Sequence, residues 1–150
     1  MLCGIAGEVA FHGARADTAP VQAMLETLAQ ARGQDITVQP AGWTALGQVR
    51  RDRASKQGVC QPTIDTEHEL AVVFDGHLFN RAELASQTAM DDSGSTDADV
   101  VLAAYRHWGE RFVEHLHGNF AIVLTDQRRH RVLLCRDRLG VKPAVCSAAG

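Results

Sequence analysis

The residue best placed to do chemistry is Cys3, in the opening run Met1-Leu2-Cys3-Gly4-Ile5-Ala6-Gly7, where small neighbours let the backbone crowd close to a thiol. A cysteine at the first position of a mature chain carries its own α-amine beside the sulfur. With a pKa of about 8, that amine is poised as a built-in general base. Met1 and Leu2 stand in front of Cys3, and a leucine at the second position predicts that Met1 is retained, because methionine removal favours a small second residue. Trimming of both residues as a short propeptide would expose the amine; otherwise the Cys3 nitrogen is a non-basic amide. The histidines offer no ready substitute base. His12, His68 and His77 have no spacing that argues for placement beside the thiol, and His77, two residues after Asp75, is the best of that set. The remaining cysteines, Cys60, Cys135 and Cys146, show no Cys-x-x-Cys spacing, so neither a zinc site nor a disulfide frame is expected. Cys135, in the apolar run Val132-Leu133-Leu134-Cys135, reads as a buried free thiol.

A series of short motifs follows in order: Ala31-Arg32-Gly33-Gln34-Asp35, Gln61-Pro62, Phe74-Asp75-Gly76-His77-Leu78-Phe79-Asn80, Ser95-Thr96-Asp97-Ala98-Asp99, Trp108-Gly109, and Gly118-Asn119-Phe120-Ala121. The most specific is Arg136-Asp137-Arg138-Leu139-Gly140-Val141-Lys142-Pro143. With the Cys-Gly-Ile start, the set resembles the amidotransferase domain of class II (N-terminal-nucleophile) glutamine amidotransferases, in the branch of the asparagine synthetases. Those proteins carry Arg-Gly-Pro-Asp, Gln-Pro, an Asn-Gly-x-x-Tyr-Asn turn, a Ser-Asp-x-Glu helix start and a closing Arg-Asp-Arg-x-Gly-x-Lys-Pro. The resemblance covers nearly the whole chain.

It implies hydrolysis of the side-chain amide of glutamine through a thioester on Cys3, releasing ammonia. Carried over residue by residue, Cys3 matches the nucleophile, Gly76 the backbone N–H of the oxyanion hole, Arg50 the clamp on the substrate carboxylate, and Asp97 the acceptor of its ammonium. Asp75, Gly76 and His77 fill the turn that faces the substrate. Arg51 rivals Arg50 by one position, since the family's His-x-Arg-Leu reads Gln48-Val49-Arg50-Arg51, and a solvated surface arginine is the alternative to the clamp. Asp97 also reads as an ordinary helix N-cap. Asp75 departs from the family, which places an asparagine there. An ionised carboxylate has no proton to donate, and losing one such donor costs about 3 to 4 kcal/mol in the transition state. The expectation is that only a raised pKa could rescue it.

The elements that must position these residues are legible in outline. Ile5 to Phe11, Gly42 to Gly47, Leu70 to Phe74, Asn119 to Leu124 and Val132 to Arg136 read as strands rich in β-branched and aromatic residues. Val21, Met24, Leu25 and Leu28 predict a helix after Asp17, Thr18 and Pro20, stopped by Gly33. Asn80 with Glu83 predicts a capping-box-like start for a short helix over 81–87, and Asp97 a cap for a third with Val100, Val101, Ala104, Tyr105 and Trp108 on its apolar face. The polar run Asp126 to His130 predicts a hairpin. The residues give an α+β fold with antiparallel sheet; the resemblance adds the N-terminal-nucleophile hydrolase-like four-layer sandwich (αββα), with its C-terminal part incomplete.

A length of 150 residues with 45% hydrophobic residues fits one domain over 1–150. The net charge of −3, with Arg50-Arg51-Asp52-Arg53 the only basic cluster, argues against nucleic acid. No apolar run reaches the roughly eighteen residues of a membrane span and no secretory signal opens the chain, so a cytoplasmic location is expected. Ser93-Gly94-Ser95 resembles a pyrophosphate loop but precedes a helix cap and reads as a polar loop. No cofactor is expected in this domain; ATP and magnesium would belong to a synthetase domain or subunit, the expected partner beside glutamine. Ala144 to Gly150 stops before the family's domain normally ends, which predicts a truncated domain or fragment. Two other readings stand beside the glutaminase: a catalytically silent domain that binds an amino acid or a protein, and a non-functional partial product whose exposed edge drives self-association.

Overall fold

The computed structural model describes residues 4–29, 35–50, 61–91 and 93–147. The first half builds a three-stranded antiparallel sheet from β1 (Gly4–Val9), β2 (Asp35–Ala41) and β3 (Thr44–Arg50), in the order β1-β3-β2. Strand β2 has no counterpart among the strands read from the sequence, and it contains Pro40. It lies at the sheet edge, where a missing N–H costs no ladder bond. Gly42, with φ of +65°, turns the chain between β2 and β3 rather than opening a strand. Helix α1 (Thr18–Leu28) starts at Asp17, whose carboxylate accepts the Ala19 N–H at 3.0 Å, and ends with Ala29 as its C-cap. Gly33, the expected stop, lies outside the described residues. Val21 and Leu25 of α1 pack on Ala45 and Val49 of β3.

The second half builds a four-stranded antiparallel sheet in the order β4-β5-β6-β7, from β4 (Thr63–Asp65), β5 (Leu70–Leu78), β6 (Gly118–Asp126) and β7 (Arg131–Arg136). The predicted hairpin between β6 and β7 is present, turned by His130 at φ +51°. Helices α2 (Arg81–Gln87) and α3 (Asp97–Trp108), and the 3₁₀ segment Gly109–His115, cover one face of this sheet. Their core includes Val72 and Phe74 of β5, Leu84 of α2, Val101 and Tyr105 of α3, and Phe112. The opposite face meets the three-stranded sheet: Ala71 and Val73 of β5 pack with Leu46 of β3 and with Ile5 and Val123. Successive residues of a strand point to opposite faces, so β5 feeds both cores from one run of apolar residues.

Two predicted caps are corrected. Asp97 is the first residue of α3 and not its N-cap; Thr96 holds that position, accepting the Asp99 N–H while the Asp99 carboxylate takes the Thr96 N–H at 2.7 Å. Asn80 precedes α2 but makes no cap bond, because its amide instead ties the 3₁₀ segment to β6, donating to the His115 carbonyl and accepting the His117 N–H, each at 3.0 Å.

Candidate active site

Asp75, Gly76 and His77 form no turn. They continue β5 in unbroken register with β6, Asp75 opposite Ala121, Gly76 opposite Phe120 and His77 opposite Asn119. The sequence places the strand end at Phe74, because Asp-Gly reads as a turn; pairing with β6 overrides that local preference. Gly76 is indispensable there. Its φ is +148°, and a Cβ would run into the Asn119 carbonyl oxygen and within 2.8 Å of the Phe120 Cα.

The pairing also aims the Gly76 N–H. The Phe120 N–H and carbonyl are turned to Asp137 on the β7 side, so Gly76 faces away from β6 along the edge that β4 is too short to cover. Its neighbours of the same orientation are engaged: the Phe74 N–H donates to Gln61 Oε1 at 2.6 Å and the Leu78 N–H to Asp97 Oδ2 at 3.0 Å. Between a glutamine amide and an aspartate carboxylate, Gly76 thus presents a donor aimed off the sheet edge.

Strand β3 ends against this edge. Gln48 Nε2 donates to the Phe74 carbonyl at 3.1 Å, while Gln48 Oε1 is buried with no hydrogen-bond partner among the described residues. Arg50, two residues on, closes β3 opposite Asp35 of β2, a cross-strand pair of opposite charge. Gly4 pairs with Val49, so β1 begins beside the same end of β3. Cys3 itself, Arg51 and Cys60 lie outside the described residues.

Asp97 accepts from Leu78, and Arg81 Nη1 stands 3.5 Å from its other oxygen. A carboxylate has about four lone-pair sites, so this leaves acceptor capacity. His77 Nδ1 is 3.5 Å from Asp97 Oδ2, with the ring edge-on to Phe79; the His77 side chain is 72% exposed, whereas that of Asp97 is 15% exposed. Ser95, of the Ser-Gly-Ser run, receives Arg81 on its hydroxyl at 2.7 Å, consistent with a structural polar loop.

The closing motif contains Lys142 but by itself gives that residue no role. Alternation puts Asp75 on the face of β5 shared with Ala71 and Val73, toward the three-stranded sheet. There its carboxylate, only 12% exposed, meets Lys142 Nζ at 3.0 and 3.1 Å, one contact to each oxygen. The loop carrying Lys142 is built by Asp137. Its buried carboxylate accepts N–H groups from Leu139 at 3.1 Å, Val141 at 2.9 Å, Lys142 at 3.0 Å and Phe120 at 3.3 Å. These bonds, the Lys142 N–H first among them, hold the Asp137 carboxyl below its usual range. Gly140, with φ of +66°, lets the Arg136 guanidinium lie where a Cβ would stand. Beside the expectation of a raised pKa at position 75, the structure sets an ammonium in contact with that carboxylate. Two oppositely charged residues 67 positions apart give no local sequence signal.

Cys135, predicted to be buried, is half-buried on β7, and burial pushes its thiol pKa up. Among the described residues no group of His, Cys, Asp and Glu side chains converges to hold a metal ion, and no helix is long and apolar enough to cross a membrane.

The β5 edge at Gly76 is carried on a mixed α/β scaffold of two antiparallel sheets. A family model described as "Glutamine amidotransferase domain" matches residues 2–149, and the chain belongs to that family. It is 29% identical over 148 residues, 95% of its length, to asparagine synthetase [glutamine-hydrolyzing] 3 of Bacillus subtilis, and covers 24% of that protein. Over 84 residues, 55% of the chain, it is 36% identical to the amidase chyE of Penicillium rubens, covering 12% of it. Asparagine synthetase [glutamine-hydrolyzing] 2 of Lotus japonicus is 35% identical over 82 residues, 54% of the chain and 14% of the relative. The chain thus spans a quarter or less of the length of these relatives.

Proposed function

We propose that this chain is the glutamine-hydrolysing domain of an asparagine synthetase-like amidotransferase, with Cys3 as nucleophile, its freed α-amine as base, and the Gly76 N–H as oxyanion donor. The observation that carries this reading is the Gly76 N–H, aimed off the β5 edge beside the end of β3 where β1 begins at Gly4. The amine takes the thiol proton, and the sulfur adds to the amide carbon of glutamine as the C=O π pair moves to oxygen. Collapse of that oxyanion breaks the C–N bond, with the ammonium returning its proton to the leaving nitrogen as ammonia. Water then attacks the thioester, its proton passes to the amine, and glutamate leaves as the thiol is restored. Arg50 would fork onto the substrate carboxylate and Asp97 accept its ammonium, using the lone pairs left by Leu78 and Arg81.

The packing of α1 on the first sheet, the two sheets on each other, and α2 with α3 on the outer face supports the αββα reading. A synthetase domain or subunit is the proposed recipient of the ammonia, with ATP and magnesium used there, in the cytoplasm. A second reading, a silent domain that binds an amino acid, is favoured by a carboxylate at position 75 in place of a neutral donor.

Glutamate release from glutamine by the purified chain, with intact mass to locate the amino terminus, separates the two. The expected outcome is turnover by protein beginning at Cys3 and none from Cys3→Ala. Absence of Cys3-dependent turnover, together with glutamine binding by calorimetry, would select the silent domain.

A further inference from the structure

We propose that Lys142 is the side-chain half of the oxyanion site, acting with Asp75 as one ionic couple beside the Gly76 N–H. This inference rests on the glutaminase reading above. A lone carboxylate next to Gly76 would repel the oxygen that becomes negative when the thiol adds to the amide carbon. Lys142 removes that charge, with Nζ against both Asp75 oxygens at 3.0 and 3.1 Å, at a place where both side chains are largely withdrawn from water. An ammonium has three N–H donors and Asp75 takes two, so one remains for the developing oxyanion. The backbone around Lys142 is fixed independently of substrate: Asp137 receives the Lys142, Val141 and Leu139 N–H groups, and its own N–H returns to the Phe120 carbonyl, in the β6 residue opposite Gly76. One chain of bonds thus runs from the strand that aims the Gly76 donor to the loop that aims the ammonium. The bonds made and broken are those of the hydrolysis itself, since Lys142 keeps its proton throughout.

Asp75→Asn puts a neutral donor at the same place and removes the charge that Lys142 balances, so the two positions are coupled. Glutamate release is measured on the full chain for wild type, Lys142→Met, Lys142→Arg, Asp75→Asn and Asp75→Asn/Lys142→Met, with a thermal melt on each. Expected are a fall in kcat of about a hundredfold for Lys142→Met with KM changed less than about threefold, and a loss within about tenfold for Lys142→Arg. In the Asp75→Asn background, Lys142→Met should lower kcat by no more than about threefold. An equal loss in both backgrounds, or none in either, would overturn the couple while leaving the glutaminase reading intact. Turnover only with Asp75→Asn would show that the couple does not replace a neutral donor. No Cys3-dependent turnover in any variant would take the glutaminase reading and this inference down together.

Discussion

At position 76 the backbone itself excludes every other residue. A methyl group there meets the Asn119 carbonyl and the Phe120 Cα in β6, and the φ of +148° suits glycine alone. Gly76→Ala is therefore expected to lower stability by about 2 to 4 kcal/mol, from overpacking and backbone strain together. A urea midpoint measurement checks this, and loss of glutaminase activity should exceed what the unfolded fraction explains. Asp137 makes a second residue-scale prediction. Its folded pKa lies below the ordinary value of about 3.9, so its contribution to stability is complete above that value and is lost as pH falls through the folded pKa. Protection of the Leu139, Val141 and Lys142 amides from hydrogen exchange should hold at pH 5 and fade below about pH 4, and Asp137→Ala should abolish it at every pH.

At the scale of the element, α3 has a reciprocal cap that places Asp97 in its first turn, facing the end of β5. Thr96→Ala removes the hydroxyl that receives the Asp99 N–H and should cost about 1 kcal/mol in a denaturant titration. Because Asp97 holds the Leu78 N–H from that turn, the same change should raise KM for glutamine more than it lowers kcat. Strand β5 is the other decisive element. Its first half is apolar on both faces, as a strand between two cores must be, and its second half carries Asp75, Gly76 and His77 to the open edge.

Across the whole molecule, the proposed site draws on both sheets: Gly76 and Asp75 from one, Arg50 and the start of β1 at Gly4 from the other. Between them lies a small core of Leu46, Ala71 and Val73. Leu46→Ala and Leu84→Ala each truncate a buried leucine, the first between the sheets and the second under α2, and each should cost about 2 to 5 kcal/mol. Urea unfolding should show similar losses, whereas KM for glutamine should rise chiefly in Leu46→Ala, since only there does the cavity adjoin the contact between sheets.

The sequence alone determined the family, the strands and helices with strong periodicity, and the chemical types gathered in the motifs, because these are properties of neighbouring residues. Val21 and Leu25 announce α1 whatever else the chain does, and Arg136 to Pro143 is a string that few unrelated chains would carry. Strand β2 and the extension of β5 past Phe74 were not legible, since their local composition favours turns and only a partner strand supplies the missing hydrogen bonds. Tertiary structure alone decided the direction of the Gly76 N–H, the tie between Gln61 and Phe74, and the meeting of Asp75 with Lys142. Each depends on two segments far apart in the chain, and the distance between them is set by how the sheets and loops pack, a quantity that no local pattern of residues encodes.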